Sequence, residues 1–165
     1  MTFVVGAPDA SIFLCAGCVA VLDALWFSVS LDRFYPKVPE AVPEYGALAW
    51  ASIAVGLSTA QPYDAPSAAA FGALFGAVVY TTFNGTEAAI RADWRSPAVW
   101  IADIAWGVAV CAATSTVRFA VQSYTPPEVT LVIGLAIDAV VLLALVCARG
   151  ATVFKALSSI VSGSA

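Results

Sequence analysis

No histidine occurs anywhere in the 165 residues. That absence removes the commonest metal ligand, the commonest haem ligand and the commonest general base together. Charge is nearly as scarce. Seven Lys and Arg stand against eleven Asp and Glu, for a net charge of −4. No basic patch exists to neutralise phosphates, which excludes nucleic acid as a partner. Charged residues make up 11% of the chain, where a soluble domain carries about a quarter. A water-soluble protein of this length could not cover its surface with so few. The only lysines, Lys37 and Lys155, fall outside the apolar stretches, so no Schiff base can form within them. Cys15 and Cys18 form a Cys-x-x-Cys with no second pair near it, and a zinc site needs four ligands. Cys111 and Cys147 also lie in apolar segments, so no disulfide framework is implied. No metal, no cofactor and no catalytic residue is expected. The first ten residues carry no Lys or Arg, so the positive region of a signal peptide is missing. The first apolar run is therefore expected to be a retained helix.

What is abundant is apolar: 61% of the residues are hydrophobic. A spanning helix takes about 20 mostly apolar residues. The expected fold class is all-α, a polytopic transmembrane helical bundle of five spans. The first span is expected over residues 11–31, ending at Asp32-Arg33, before Pro36, Pro39 and Pro43. The second, over 44–60, is the shortest and is bracketed by Pro43 and Pro62. The third covers 67–83 and can continue as helix to Ile90. The fourth covers 97–121, with Pro97 at a helix start where its missing N–H costs nothing. Pro126-Pro127 break the chain, and an additional helix occupies 122–148 from Glu128 onward. In the tail, 149–165, Val153, Phe154, Leu157, Ile160 and Val161 share one side, flanked by Arg149 and Lys155. That pattern predicts an amphipathic helix lying in the interface.

The positive residues set the orientation. Arg33 and Lys37 follow the first span, Arg91 and Arg95 lie between the third and fourth, and Arg149 and Lys155 follow the fifth. Five spans put all of these on one face, with the N-terminus outside and the C-terminus on the cytosolic or equivalent face. Only Arg118 sits toward the other side. The sequon Asn84-Gly85-Thr86 then faces inward, where it stays unmodified.

Asp23, Asp103 and Asp138 fall inside spans, and Glu87 lies at the inner end of the third. An ionised side chain at that depth costs at least ~2.5 kcal/mol unless it is paired or hydrated, so such residues face the bundle interior. No Lys or Arg lies at their depth. Tyr80, Asn84 and Glu87 are spaced four and three apart, on one helix face, and Arg91 continues that face. Asp23 to Trp26 and Asp103 to Trp106 repeat the pattern Asp-x-x-Trp, which puts acid and indole on one face. Each indole N–H can then donate to a carboxylate on a neighbouring helix. Two readings stay open for Asp23, Trp26, Tyr80, Asn84, Glu87, Asp103 and Trp106. One is a polar cluster opening inward; the other is a hydrogen-bonded tie that fixes helix register. Gly72 and Gly76 form a Gly-x-x-x-Gly, which with Gly107 points to close helix packing. Trp50 and Trp94 are expected as interface anchors, and Trp100 as lipid-facing.

Several of these residues also carry a resemblance. They are Leu22-Asp23-Ala24-Leu25-Trp26, Phe34-Tyr35, Gly72-Ala73-Leu74-Phe75-Gly76, Tyr80-Thr81-Thr82-Phe83, Thr86, Trp94 and Asp103-Ile104-Ala105-Trp106-Gly107. In order and spacing the stretch from Leu22 to Thr116 resembles a family of small bacterial membrane proteins, domain of unknown function 2177. The resemblance implies a four-helix membrane domain over residues 1–121, with the fifth helix and tail added beyond it. The family pattern has Tyr-Asp-Leu-Thr-Asn where this chain reads Phe83-Asn84-Gly85-Thr86-Glu87. The resemblance brings no established activity with it.

Three functions are in contention. The first is a structural or accessory subunit of a larger membrane complex, its partners the lipid bilayer and other membrane proteins or further copies of itself. The second is a small proton- or cation-coupled transporter or channel using the intramembrane carboxylates. The third is a membrane enzyme acting on a lipid or isoprenoid.

Overall fold

Proline opens three of the five helices, at Pro43, Pro97 and Pro127, where a residue without an N–H loses nothing. The computed structural model describes residues 4–6, 8–34, 43–90 and 96–161. In chain order the elements are β1 (Val4–Val5), α1 (Ile12–Phe34), α2 (Pro43–Ser58), β2 (Ala60–Gln61), α3 (Ala65–Ile90), α4 (Pro97–Tyr124) and α5 (Pro127–Val161). The chain is an all-α membrane helical bundle. Four helices, all but α2, are long and apolar enough to cross a bilayer. At ~1.5 Å per residue the 16 residues of α2 extend only about 24 Å, short of a hydrocarbon core of roughly 30 Å.

The registers between helices give their directions. Ser11 meets Arg118 and Asp23 meets Trp106, so α1 and α4 are antiparallel. Trp50 meets Asp23 while Leu57 and Ser58 lie beside Arg118, so α2 also runs against α1. Gly72 faces Cys111 and Gly76 faces Gly107, so α3 and α4 are antiparallel. Gly17 faces Ile137 and Asp138 while Gly134 faces Leu14, so α5 runs parallel to α1. Direction thus alternates along the chain, as an up-and-down bundle requires. One end collects the start of α1, the end of α2, the start of α3, the end of α4 and the start of α5. It is called the N-terminal end below.

Helix α1 is central, packed against α2, α4 and α5, while α3 packs chiefly on α4. The buried core joins Cys15 and Val19 of α1 to Ile53, Ala54 and Leu57 of α2 and to Val110 and Cys111 of α4. Cys15 of the Cys-x-x-Cys is therefore packing material. Leu25, Val29, Leu74, Ile101, Val132 and Val140 are exposed on the outer surface, as lipid contact demands.

Four features depart from the sequence expectations. Helix α1 continues through Asp32-Arg33 to Phe34, because polar side chains end an apolar run without ending the backbone ladder. Helix α3 starts two residues early. Asp64 Oδ1 accepts from the Ser67 N–H at 2.8 Å, and Ser67 Oγ accepts from the N–H of Tyr63 and of Asp64 at 3.1 Å. This reciprocal cap holds the first turn, and its bonds from Ser67 hold the exposed Asp64 carboxyl below its ordinary range. The tail expected as a separate helix continues α5 without a break to Val161; its side chains, and Arg91, Trp94 and Arg95, lie outside the described residues. Finally, β1 and β2 pair antiparallel, Val4 with Gln61 and Val5 with Ala60, strands too short to leave a periodicity in the sequence.

Helices α3 and α4 touch almost backbone to backbone. A Cβ on Gly76 would fall 2.1 Å from the Gly107 carbonyl oxygen, and one on Gly72 would fall 2.2 Å from that of Cys111. A Cβ on Gly107 would meet the Tyr80 ring at 2.2 Å. Gly76→Ala is expected to lower stability by ~1–3 kcal/mol, since the helices must separate to admit the methyl group. Gly85→Ala is the control: nothing lies within 4 Å of that position, and it should melt no lower than the parent in detergent.

Candidate functional site

Asp23 lies eleven residues from either end of α1, halfway along it. That is about 16 Å from each end, deeper than an end at Leu31 would place it. The residue is 6% exposed. Its oxygens are occupied separately: Trp106 Nε1 donates to Oδ1 at 2.8 Å, and Trp50 Nε1 donates to Oδ2 at 2.8 Å. The Tyr80 hydroxyl adds a third hydrogen bond. One carboxyl thus joins α1 to α2, α3 and α4. Three donors stand around a buried acid that has no cation beside it among the described residues. Trp26, one turn along α1, stacks on Trp106 with ring centroids 5.1 Å apart and planes 10° from parallel.

The rest of the expected cluster extends away from the N-terminal end. Asp103 is buried three residues before Trp106, within electrostatic reach of both Asp23 and Tyr80. Asn84 is fully buried and donates from Nδ2 to the Tyr80 carbonyl at 2.9 Å. Its Oδ1 has no partner among the described residues, and neither has the buried Trp100 Nε1. Glu87 is half-buried one turn further on. Asp138 stands apart, on α5 against Gly17. Among the described residues no three His, Cys, Asp or Glu are placed to hold a metal ion.

Two tryptophans differ from expectation. Trp50 is no interface anchor; its indole points inward to Asp23, because antiparallel α2 brings it level with that residue. Trp100, expected to face lipid, has its ring nitrogen buried. In a helix that is apolar all round, sequence periodicity does not mark which side meets neighbours.

A second node closes the N-terminal end, and sequence reasoning passed over it. Arg118 is 3% exposed. Its Nε donates to Ser11 Oγ at 2.5 Å, and Nη1 donates to the carbonyls of Leu57 at 3.1 Å and Ala60 at 2.5 Å. Nη2 donates to the Ser58 carbonyl at 2.9 Å and to Asp9 Oδ2 at 3.0 Å. All five guanidinium N–H groups are used. Two of the acceptors, the Leu57 and Ser58 carbonyls, end α2 and carry the negative end of that helix dipole, and a third, the Ala60 carbonyl, belongs to the residue that opens β2. Asp9 in turn accepts from Gln122 Nε2 at 3.0 Å, from the Ser11 N–H at 2.9 Å and from the Ser11 hydroxyl. The signal was there in outline: a lone arginine in an apolar helix calls for partners.

Partial burial pushes the Asp9 carboxyl up, but the two bonds from Ser11, the bond from Gln122 and the Arg118 charge outweigh it. The net effect holds Asp9 below its ordinary value of 3.8. A depressed folded-state value means stability that is present above 3.8 and is lost as pH falls through the lower, folded-state value. The wild type is expected to melt at lower temperature as pH drops below that point. Asp9→Asn should flatten this part of the profile, by a modest amount because Asp9 is partly exposed and screened. Thermal melts across acid pH check it.

No curated protein and no solved structure matches the chain. A family model does: residues 10–120 match the family described as predicted membrane protein (DUF2177). The match covers α1 to most of α4, and so holds Asp23, Trp50, Tyr80, Trp106 and Arg118, leaving α5 outside. The chain therefore belongs to the DUF2177 family of predicted membrane proteins.

Proposed function

We propose that this protein is a non-catalytic accessory subunit of a larger membrane assembly, with its N-terminus outside and its C-terminus on the cytosolic or equivalent face. The observation that carries this reading is the occupancy of Asp23: both oxygens receive indole N–H groups from neighbouring helices. A carboxylate held by fixed donors ties helices together and is poorly suited to exchanging a proton or cation. Arg118 does the same at the other node, with every donor engaged in structural bonds. The orientation follows from the remaining Lys and Arg residues, which fall in sequence near the end of α1, between α3 and α4, and late in α5.

In mild-detergent extracts of its own membrane the 17.0 kDa chain is expected to migrate within a larger complex. Purified into liposomes, it is expected to pass protons, sodium and potassium no faster than protein-free lipid. Migration as a lone chain argues against the proposal, as does any flux that Asp103→Asn abolishes. The second outcome favours the small transporter. That reading has its own support in the buried Asn84 Oδ1 and Trp100 Nε1, both without a partner among the described residues and in the same half of the bundle as Asp103.

A further inference from the structure

Asp138 takes part in neither node. It is half-buried on α5 and forms part of a groove of ≈ 170 Å³ between α1, α2 and α5. The groove is otherwise lined by Ala16 and Ala20 of α1, Trp50 and Ala51 of α2, and Val141 and Leu142 of α5. Leu142 and Ala51 are exposed, so the groove opens sideways to lipid. Among the described residues no hydrogen bond or ion pair reaches the Asp138 carboxyl.

The registers orient the groove in the bilayer. Asp138 Oδ1 lies 2.9 Å from where a Cβ on Gly17 would stand. Gly17 is five residues into α1, so Asp138 sits about 8 Å below the N-terminal end. Val141 and Leu142 are a turn deeper on the parallel α5. Trp50 is deeper still, level with Asp23. The groove thus has one acidic point toward the N-terminal end and an apolar course running toward mid-membrane. A carboxyl at that depth calls for a donor or a cation.

We propose that this groove binds a single-chain cationic amphiphile from the leaflet at the N-terminal end. Its ammonium group rests against Asp138, and its alkyl chain lies along Ala20 and Leu142 toward Trp50. Charge complementarity selects the head, and a groove of ≈ 170 Å³ suits one chain rather than a two-chain lipid.

A fluorescent dodecylammonium titrated onto the full chain in neutral phosphatidylcholine nanodiscs is expected to bind saturably. Asp138→Asn should weaken binding about tenfold, the loss of one charge-assisted contact. Ala51→Phe, at an exposed lining position, should weaken it with the acid intact. Glu128→Gln, at the exposed start of α5, should leave it unchanged, and dodecyl sulfate should not compete. Non-saturable uptake, or equal affinity in Asp138→Asn, overturns the proposal. Labelling of Asp138 by dicyclohexylcarbodiimide, mapped by mass spectrometry, gives a second readout, and dodecylammonium should protect the residue in pure lipid. Protection seen in the native membrane that dodecylammonium fails to reproduce in pure lipid means a partner helix fills the groove, and also overturns it.

Discussion

Replacing Arg118 with methionine is expected to lower stability by ~3–5 kcal/mol, the cost of breaking a buried charged network by removing one partner. The reason lies in what is left behind. Methionine keeps an apolar stem reaching about as far as Nε but has no guanidinium beyond it and supplies no donor. The carbonyls of Leu57, Ser58 and Ala60 and the Ser11 hydroxyl would lose their buried partner together. Asp9 would keep its bonds to Ser11 and Gln122 but lose its counter-charge. Lysine keeps the charge but has three donors on a compact head in place of a planar fork of five, so Arg118→Lys should fall between the two. The damage should be local first. Arg118 holds Ala60, a residue of β2, and Asp9, which follows β1, so the amide of Gly6, bonded to the Thr59 carbonyl at 2.8 Å, should exchange much faster in Arg118→Met. Thermal melts in detergent and amide hydrogen exchange read both effects. A melt unchanged within about 1 kcal/mol would mean that the node is dispensable.

The helices were legible because their signals are local. Pro43, Pro97 and Pro127 mark starts that agree with the sequence reading to within a residue, and long apolar runs mark bodies. Gly72 and Gly76 were legible for the same reason: a spacing of four on one helix needs no knowledge of the partner. The pairing of Asp23 with Trp106 was readable as a possibility, since a buried acid needs a donor and an indole on the same family-like motif supplies one. Trp50 was not readable. It stands midway along a short apolar helix whose sequence does not mark an inner face, and only the antiparallel register of α2 turns it toward Asp23. Arg118 was hidden more deeply. Asp9 is 109 residues away in sequence, and three further partners are main-chain carbonyls, which leave no mark in side-chain chemistry. A lone cation in an apolar helix announces that partners exist, but the fold alone names them.

Asp23→Ala is expected to cost about 2–4 kcal/mol, because it strips the acceptor from two buried indole N–H groups at once. Asp23→Asn is the informative contrast. Its carbonyl oxygen can still accept from one indole, while the amide nitrogen faces the other with donor against donor, so the loss should be smaller but real. Trp106→Phe removes one donor and keeps an aromatic ring against Trp26. If Asp23 and Trp106 act as one tie, the double variant Asp23→Ala/Trp106→Phe should lose less than the sum of the two single changes. Near-ultraviolet circular dichroism should change with the melt, since Trp26, Trp50 and Trp106 are all arranged around this carboxyl. The contrast with the transporter reading is direct. A tie predicts that Asp23 variants lose stability in proportion to lost acceptors and gain or lose no flux. A stable Asp23→Ala protein with altered proton movement would show that the carboxyl is there to exchange its proton and that its donors merely hold it between turnovers.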